Sequence, residues 1–265
     1  MFMKRIFYII LAATFFTGCK PFKLAVSEDL KSAHDEYEVK GKDGIMIKQK
    51  LSFGEFKTTK VKRSWTKGSS GLKGIGFGTP YQDNWVNIIS TEYIRKKQTV
   101  NFSLTDGQLS SDVYCVSKFN SKDFQLGARE NSIVNIGLDI FGNGYSSTST
   151  YYVQLFTKGD ERPWQLLLDN EEAQFRSREY IGYLAKTKDE YYTIHPATKI
   201  EKNGKTGSTL AGAVGFEIRD PKGNTVAAVS MMNKGMVFMG KRSTEERFLL
   251  ANVCAALLLQ QHIGE

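Results

Sequence analysis

The stretch Phe248–Leu259, FLLANVCAALLL, decides the fold of this chain, because Asn252 is its only polar residue. A helix that is apolar on every side must be buried on every side. At twelve residues the run is too short to span a membrane, so we expect the protein's own sheet to cover it. Ser243-Thr244-Glu245-Glu246 is a capping box, in which the first and last side chains satisfy each other's backbone amides. The pattern predicts a C-terminal helix from about 244 to 262.

The residues upstream of this helix read as a three-stranded β-meander. Its apolar or alternating runs are Phe216–Arg219, Thr225–Met231 and Met236–Met239, and turn-forming residues separate them. The same character extends back to Ile45, with turn signals between runs rich in Val, Ile, Thr, Tyr and Phe. The chain is therefore predicted to be mainly β, an antiparallel barrel or sandwich of many short strands that encloses or packs on the hydrophobic C-terminal helix.

The meander from Gly215 to Met239, followed by Glu245 to Gln260, resembles the tubby C-terminal-like barrels, a group that includes the phospholipid scramblases and their plant relatives. The resemblance covers only the end of the chain and rests on pattern rather than on a specific motif. It implies a closed antiparallel barrel around the C-terminal helix, and no functional residue is carried over from it. The alternative is a helix that packs on one side of a curved sheet.

The first residues have the anatomy of a signal peptide. Met1–Arg5 carries two positive charges and no negative one, and Ile6–Phe16 is apolar apart from Tyr8 and Thr14. A helix needs roughly twenty apolar residues to cross a bilayer, so this run does not predict a permanent transmembrane anchor. Residues 1–18 are predicted to be removed.

Phe16-Thr17-Gly18-Cys19 resembles the lipobox of bacterial lipoprotein precursors, although Phe16 stands where that family usually has Leu. The resemblance implies a diacylglycerol thioether on Cys19, cleavage after Gly18 and acylation of the new amine by a fatty acid such as palmitate. More than one acyl chain makes membrane anchoring stable. The alternative is an ordinary secretory signal, in which Cys19 has no role.

The leader therefore predicts export and lipid anchoring to a bacterial membrane, without distinguishing its leaflets. Residues 19–40 are predicted to be the lipid anchor and a tether, with a turn of helix around 27–33, and residues 41–265 a single β-rich domain. The composition, 41% hydrophobic and 24% charged, suits a globular domain with a substantial core. Cys115 and Cys254 are flanked by apolar residues, which favours two buried thiols and leaves a disulfide as the alternative.

Recognisable catalytic and metal-binding motifs are not found in the sequence. The three histidines, His34, His195 and His262, lie in no nucleophile motif, and no His-x-x-x-His or Cys-x-x-Cys spacing occurs. No catalytic residue, metal site or cofactor is predicted. The acidic residues Asp139, Asp169, Glu171 and Glu172 leave a glycosidase-like reaction open, but sequence does not give the distance between their carboxylates.

The most distinctive charged stretch runs from Lys40 to Lys73, with ten basic residues against two acidic ones. A basic face with aromatic residues is suited to an anionic ligand, and for an exported protein this means a lipid headgroup or an envelope glycan rather than nucleic acid. The alternative is that the lysines are the solvated face of strands whose other face is core. The candidate face consists of Lys57, Lys60, Lys62, Arg63 and Trp65.

Three functions remain open at this stage. The first is a non-catalytic envelope lipoprotein whose domain binds an anionic lipid, a glycan or an unidentified protein partner. The second is a structural or assembly accessory of the cell envelope. The third is an enzyme acting on envelope polymers, which a cleft lined by two carboxylates would favour.

Overall fold

One antiparallel sheet of twelve strands, rolled around a helix, makes up most of the molecule. The computed structural model describes residues 22–42, 50–64, 99–119, 150–160, 162–169, 181–209 and 212–260. The first eight strands, β1–β8, are Lys23–Leu24, His34–Glu38, Ser52–Phe53, Phe56–Ser64, Thr99–Thr105, Ser110–Phe119, Thr150–Thr157 and Trp164–Asp169. Strands β9–β15 are Gly182–Ala185, Tyr191–Ala197, Lys199–Lys202, Lys205–Ser208, Gly215–Arg219, Thr225–Ser230 and Met236–Gly240. The helices are α1, Glu28–Lys31, and α2, Thr244–Leu259.

The large sheet curls into a nearly closed barrel in which one bridge joins its two edges. Its order is β2-β15-β14-β13-β10-β9-β8-β7-β6-β5-β4-β3. After β2, Lys40 forms an antiparallel bridge with Ser52 of β3, through backbone hydrogen bonds of 2.9 and 3.0 Å. The bridge brings together two edges that would otherwise be open to other chains. The predicted mainly β fold with a C-terminal helix is confirmed, and it takes the form of a barrel.

The predicted meander is present as β13, β14 and β15, which pair in sequence order. The turn between the first two strands is held by Asp220, whose carboxylate accepts hydrogen bonds from the backbone amides of Lys222 and Asn224 at 3.0 and 2.9 Å. Local turn chemistry of this kind is visible in sequence, which is why the pattern located these strands correctly.

Helix α2 fills the barrel. Every residue from Phe248 to Leu259 is buried, and Leu250, Leu257 and Leu258, which point in different directions, are exposed by only 0%, 0% and 3%. The predicted burial on all sides is confirmed. The helix ends slightly earlier than expected, because Gln260 is extended and its amide donates to the carbonyls of Ala256 and Leu257. Residues 261–265 lie outside the described part of the chain.

Only half of the predicted capping box forms. The Ser243 hydroxyl accepts a hydrogen bond from the Glu246 amide at 3.2 Å, as expected for an N-cap. The Glu246 carboxylate, however, accepts a hydrogen bond from the Tyr192 hydroxyl at 3.2 Å and lies 3.9 Å from the Arg242 guanidinium. The start of the helix is therefore tied to β10 of the barrel wall.

Arg247 joins the helix to the two edge strands. Its guanidinium donates to the Asp35 carboxylate at 2.9 Å and to the Tyr37 hydroxyl at 2.7 Å, both on β2, and to Glu55 in the β3–β4 turn at 3.2 Å. The hydrogen bond from Arg247 holds the pKa of Asp35 below its ordinary value. This charge cluster stabilises the seam at which the barrel closes.

The segment assigned to the tether packs on the outside of the barrel. A small sheet, β1-β11-β12, forms beside it. Leu24, Val26 and Leu30 of this segment contact Ala228 and Phe238 on the outer faces of β14 and β15. Helix α1 lies inside the range where a turn of helix was expected. Residues 34–38 belong to the barrel itself, as its strand β2.

Among the described residues, no helix combines the length and the apolar character needed to cross a bilayer.

Candidate functional site

The three lysines of the candidate face lie together on β4. Lys57, Lys60 and Lys62 are all exposed. In a regular strand Lys57 and Lys60 would face opposite sides. The register of β4 against β5 shifts between Thr59 and Lys62, and Lys60 has a positive φ of 51°, so a bulge turns both lysines outward. We call Lys57, Lys60 and Lys62 the lysine face.

Arg63 points in a different direction from these lysines. It is half-buried, and burial lowers its pKa, while the nearby Tyr151 and Cys115 act in the opposite direction. Both of those residues lie in the barrel core. Arg63 and Val61 alternate with the lysines, and Val61 packs against that core. The structure therefore separates Arg63 from the lysine face.

Aromatic residues of the same stretch lie in the core as well. Phe53 and Phe56 are exposed by 2% and 1%, and the ring centroid of Phe56 is 6.4 Å from that of Phe248 on α2. These two rings do not contribute to an exposed basic and aromatic surface. Trp65 and Cys19, the other predicted site residues, lie outside the described residues.

A groove of about 560 Å³ runs along the outer wall beside Lys60. We call it the wall groove. Its lining comes from β4, β5, β6, the end of β7 and the turn after β7, and its polar residues are serines and threonines with two lysines and two aspartates. These polar lining residues are Thr59, Lys60, Ser103, Thr105, Ser110, Ser111, Asp112, Thr157, Lys158 and Asp160. The hydroxyl of one of them, Ser111, points into the barrel and donates to Asn252.

Both carboxylates of the wall groove accept hydrogen bonds from neighbouring side chains. Asp112 accepts from the Ser103 hydroxyl at 2.6 Å. Asp160 accepts from the Lys186 ammonium at 2.8 Å and from the Thr157 hydroxyl. These contacts fix the orientation of both carboxylates on the surface of the groove.

A second groove of about 490 Å³ continues from the first at the end of the barrel where α2 begins. We call it the mouth groove. Trp164 and Tyr192 lie in its lining, with ring centroids 5.8 Å apart and both rings partly exposed. Glu190 and Glu245 add carboxylates, and Ser110, Thr157, Lys158 and Asp160 line both grooves.

Apart from Lys60, these groove residues were not predicted from the sequence. They come from strands and turns that are far apart along the chain and meet only when the barrel forms. The turn at 158–159 was visible as a Lys-Gly pair after an apolar strand, but nothing in its composition distinguished it from an ordinary solvated turn.

His34 and His195, the two histidines in the described part of the chain, lie in no metal-binding or catalytic cluster there. His195 accepts or donates a hydrogen bond at 3.0 Å with Thr193, and burial, with Arg219 nearby, lowers its pKa to about 4. His34 bonds the Leu30 carbonyl at 2.7 Å, and His262 lies outside the described residues. Within the described ranges, no group of three or more His, Cys, Asp or Glu side chains could hold a metal ion.

The two cysteines are free thiols in the core, Cys115 on β6 and Cys254 on α2. Burial raises the pKa of each to about 12. A thiol that stays protonated at neutral pH is a weak nucleophile and a weak metal ligand. Both residues therefore serve as small core side chains, as the flanking sequence predicted.

No protein-family model, curated protein or solved structure matches this chain.

Proposed function

We propose that the protein is a lipoprotein of a bacterial envelope, anchored through acylated Cys19, whose barrel binds an anionic glycan without catalysing a reaction. The observation that carries the binding proposal is the position of Lys60, which lines the wall groove and lies between Lys57 and Lys62 on the outer face of β4. Positive charge thus adjoins a groove whose other polar groups are mainly hydroxyls.

The chemistry of the wall groove supports a sugar polymer. Sugar hydroxyls both donate and accept hydrogen bonds, and the groove offers lysines as donors and hydroxyl and carboxylate oxygens as acceptors. Acidic groups along the polymer would pair with the lysine face. The bulge in β4 turns these lysines outward. It requires Lys60 to adopt a left-handed backbone conformation, which has a local energetic cost.

The mouth groove supports the same ligand class. The faces of Trp164 and Tyr192 offer apolar surface for the C–H groups of a sugar ring, and Glu190 and Glu245 offer acceptors beside it. Because the two grooves share Lys158 and Asp160, a chain of several sugar units could occupy both at once.

Binding without catalysis is proposed because both groove carboxylates are already engaged by neighbouring side chains. An inverting or retaining glycosidase needs two carboxyl groups that are free to act on the two sides of the scissile bond. Asp112 is hydrogen-bonded by the Ser103 hydroxyl, and Asp160 by the Lys186 ammonium and the Thr157 hydroxyl. The barrel is therefore better suited to hold a glycan than to cleave it.

A charge-removal experiment tests the binding proposal. The lysine face is neutralised in the triple variant Lys57→Gln, Lys60→Gln, Lys62→Gln, and binding to polygalacturonate is measured by affinity electrophoresis over a range of salt concentrations. We expect binding to weaken by about tenfold or more at low salt, with a flatter salt dependence, because charge attraction to an anionic polymer is screened by salt.

The matched control is the triple variant Lys199→Gln, Lys202→Gln, Lys205→Gln, which removes the same charge from the β11–β12 hairpin. We expect this control variant to bind polygalacturonate like the wild type, and we expect neither triple variant to change binding to neutral dextran. Equal losses of polygalacturonate binding in both triple variants would mean that net charge alone attracts the polymer. Unchanged binding in both would mean that the lysine face does not bind the polymer.

A further inference from the structure

Very little chain separates Cys19, the proposed anchor, from strand β1. Cys19 precedes Phe22 by three residues. An extended chain spans at most about 3.6 Å per residue, so the anchor residue lies within about 11 Å of Phe22. If Cys19 is acylated, as the proposed function holds, the surface around Phe22 must lie close to the lipid headgroups.

Phe22 is itself unusual among the described residues, because it is the only large apolar side chain counted as exposed there, at 47%. The Lys202 ammonium lies 4.5 Å from the centroid of its ring. One exposed aromatic residue on a protein surface is ordinary. Beside a lipid anchor, an aromatic ring with an adjacent lysine has the composition of a membrane-interface contact.

The β11–β12 hairpin next to Phe22 is basic and at least partly exposed along its length. It carries Lys199, Lys202 and Lys205 against a single acidic residue, Glu201, and all residues of β12 are exposed. None of these three lysines forms an ion pair within the described part of the chain. Lys23 of β1 adds a fourth positive charge, shared with Glu36 at 3.4 Å.

The hairpin turn places two of these lysines directly opposite each other. Asn203 and Gly204 have positive φ values of 52° and 74°, which makes a tight two-residue turn. Lys202 and Lys205 flank this turn as a cross-strand pair. Like charges opposite each other destabilise a hairpin. A layer of negative charge would relieve this repulsion, and an anionic lipid surface provides one.

The small sheet β1-β11-β12 covers one side of the barrel. Leu24 and Val26, which lead out of it, contact the outer faces of β14 and β15. In the closed order of twelve strands, β6 is six positions from β14, and β7 is six positions from β15. Strands that are half a circuit apart lie on opposite walls of a barrel. The part of the wall groove on β6 and β7 is therefore on the far side from the small sheet, and the groove extends from there through β5 to β4, which is three positions from β15.

We infer that Phe22, Lys23 and the β11–β12 hairpin form a membrane-contact face that rests on anionic lipid headgroups, so that the wall groove points away from the membrane. This inference rests on the proposed acylation of Cys19. It also sharpens the proposed function, because a groove held on the far wall cannot reach the lipid surface to which the protein is anchored. Its anionic ligand must then come from outside that surface.

Depth measurements on the acylated protein test this orientation. Single cysteines are introduced by Thr206→Cys on β12 and by Gln108→Cys in the β5–β6 turn, both at exposed positions, and each is labelled with a nitrobenzoxadiazole fluorophore. The native Cys115 and Cys254 are buried and do not compete for the label. The protein is reconstituted into vesicles of phosphatidylglycerol and phosphatidylcholine that contain lipids spin-labelled near the headgroup.

We expect strong quenching of the fluorophore at position 206 and none above background at position 108. Adding Lys199→Gln, Lys202→Gln and Lys205→Gln should reduce quenching at 206, whereas Lys57→Gln, Lys60→Gln and Lys62→Gln should leave it unchanged. Equal quenching at 206 and 108, or stronger quenching at 108, would overturn the inference. Acylation is confirmed by mass spectrometry on the same sample, so a failure of the anchor is distinguished from a failure of the orientation.

Discussion

At the scale of single residues, two polar groups of α2 inside the barrel, the Asn252 side chain and the Ala256 carbonyl, accept hydrogen bonds from the barrel wall. Asn252 donates to the Phe248 carbonyl at 2.8 Å and accepts from the Ser111 hydroxyl at 2.6 Å. The Tyr151 hydroxyl donates to the Ala256 carbonyl at 2.8 Å. A buried polar group left unpaired costs about 1–3 kcal/mol. These bonds therefore give α2 one preferred rotation and height in an otherwise apolar core.

The two core thiols should be unreactive in the folded protein. Because burial raises the pKa of Cys115 and Cys254 to about 12, the thiolate that attacks disulfide reagents is scarce at neutral pH. In the Cys19→Ser chain we expect no reaction with dithionitrobenzoate under native conditions and two thiols per chain in guanidinium chloride. Fast release of thionitrobenzoate in the presence of the native protein would show that at least one thiol is at the surface.

His195 should make stability depend on pH. The folded protein holds this residue neutral down to about pH 4, whereas the unfolded chain takes up the proton near its ordinary pKa of 6.5. The unfolded state therefore binds more protons in this interval, and stability rises with pH across it. The contribution of His195 to the free energy of unfolding is fully present above pH 6.5 and is lost as pH falls through about 4.

Replacing His195 with Gln should remove this dependence. We expect the free energy of unfolding of the wild type to fall by up to about 2 kcal/mol between pH 7 and pH 4 beyond the fall seen in His195→Gln, after allowance for partial exposure to solvent. Urea denaturation at a series of pH values measures the difference, and the two proteins are compared at pH 8 to correct for any change unrelated to titration. Parallel curves for the two proteins would show that His195 does not titrate as described.

At the scale of elements, the sequence predicted features that depend on contiguous residues and missed features that depend on residues far apart along the chain. The helix α2 and the β13–β15 meander follow from contiguous patterns, so the sequence located both. The lysine face was predicted in part. Strand alternation places Arg63, which was predicted with it, on the inner side of β4. The bulge at Lys60 that turns the lysines outward has no sequence signature. The grooves depend on strand ends brought together by the barrel, such as Ser103, Asp112 and Asp160, and no local pattern connects them.

The same reasoning explains the N-terminal segment. Residues 22–33 are mixed in polarity and contain no long apolar run, which is why they read as a tether. Their packing depends on the pairing of β1 with β11, a strand that is close in space but distant in sequence. It also depends on the contacts of Leu24 and Leu30 with the outer wall of the barrel. A short pairing of this kind is invisible until the partner strand is placed.

Enclosure of α2 can be tested with single charges. Leu250→Asp, Leu257→Asp and Leu258→Asp each place a carboxylate in the core, which should cost several kcal/mol and unfold a domain of ordinary stability. Thr244→Asp, at an exposed position in the first turn of the same helix, is the control and should melt close to the wild type. Thermal unfolding by circular dichroism measures all four. A core variant that melted like the control would mean that its side of α2 is open to solvent.

At the scale of the whole molecule, the two proposals connect an anchor, a contact face and a groove. If Cys19 is acylated, its short link to Phe22 keeps the small sheet near lipid, and the order of the twelve strands places β6 and β7 on the opposite wall. The wall groove extends from that wall to the lysine face on β4, and the mouth groove lies at the end of the barrel where α2 begins. In this proposed arrangement the barrel presents a polar groove away from the membrane to which it is anchored.

Everything in this arrangement depends on acylation of Cys19, and metabolic labelling tests it most directly. Cells expressing the full chain are grown with radiolabelled palmitate, and the wild type is compared with Cys19→Ala by autoradiography and membrane fractionation. The account predicts a labelled wild-type protein in the membrane fraction and an unlabelled variant that leaves it. A wild type without label, or an unlabelled Cys19→Ala that remained in the membrane fraction, would contradict it.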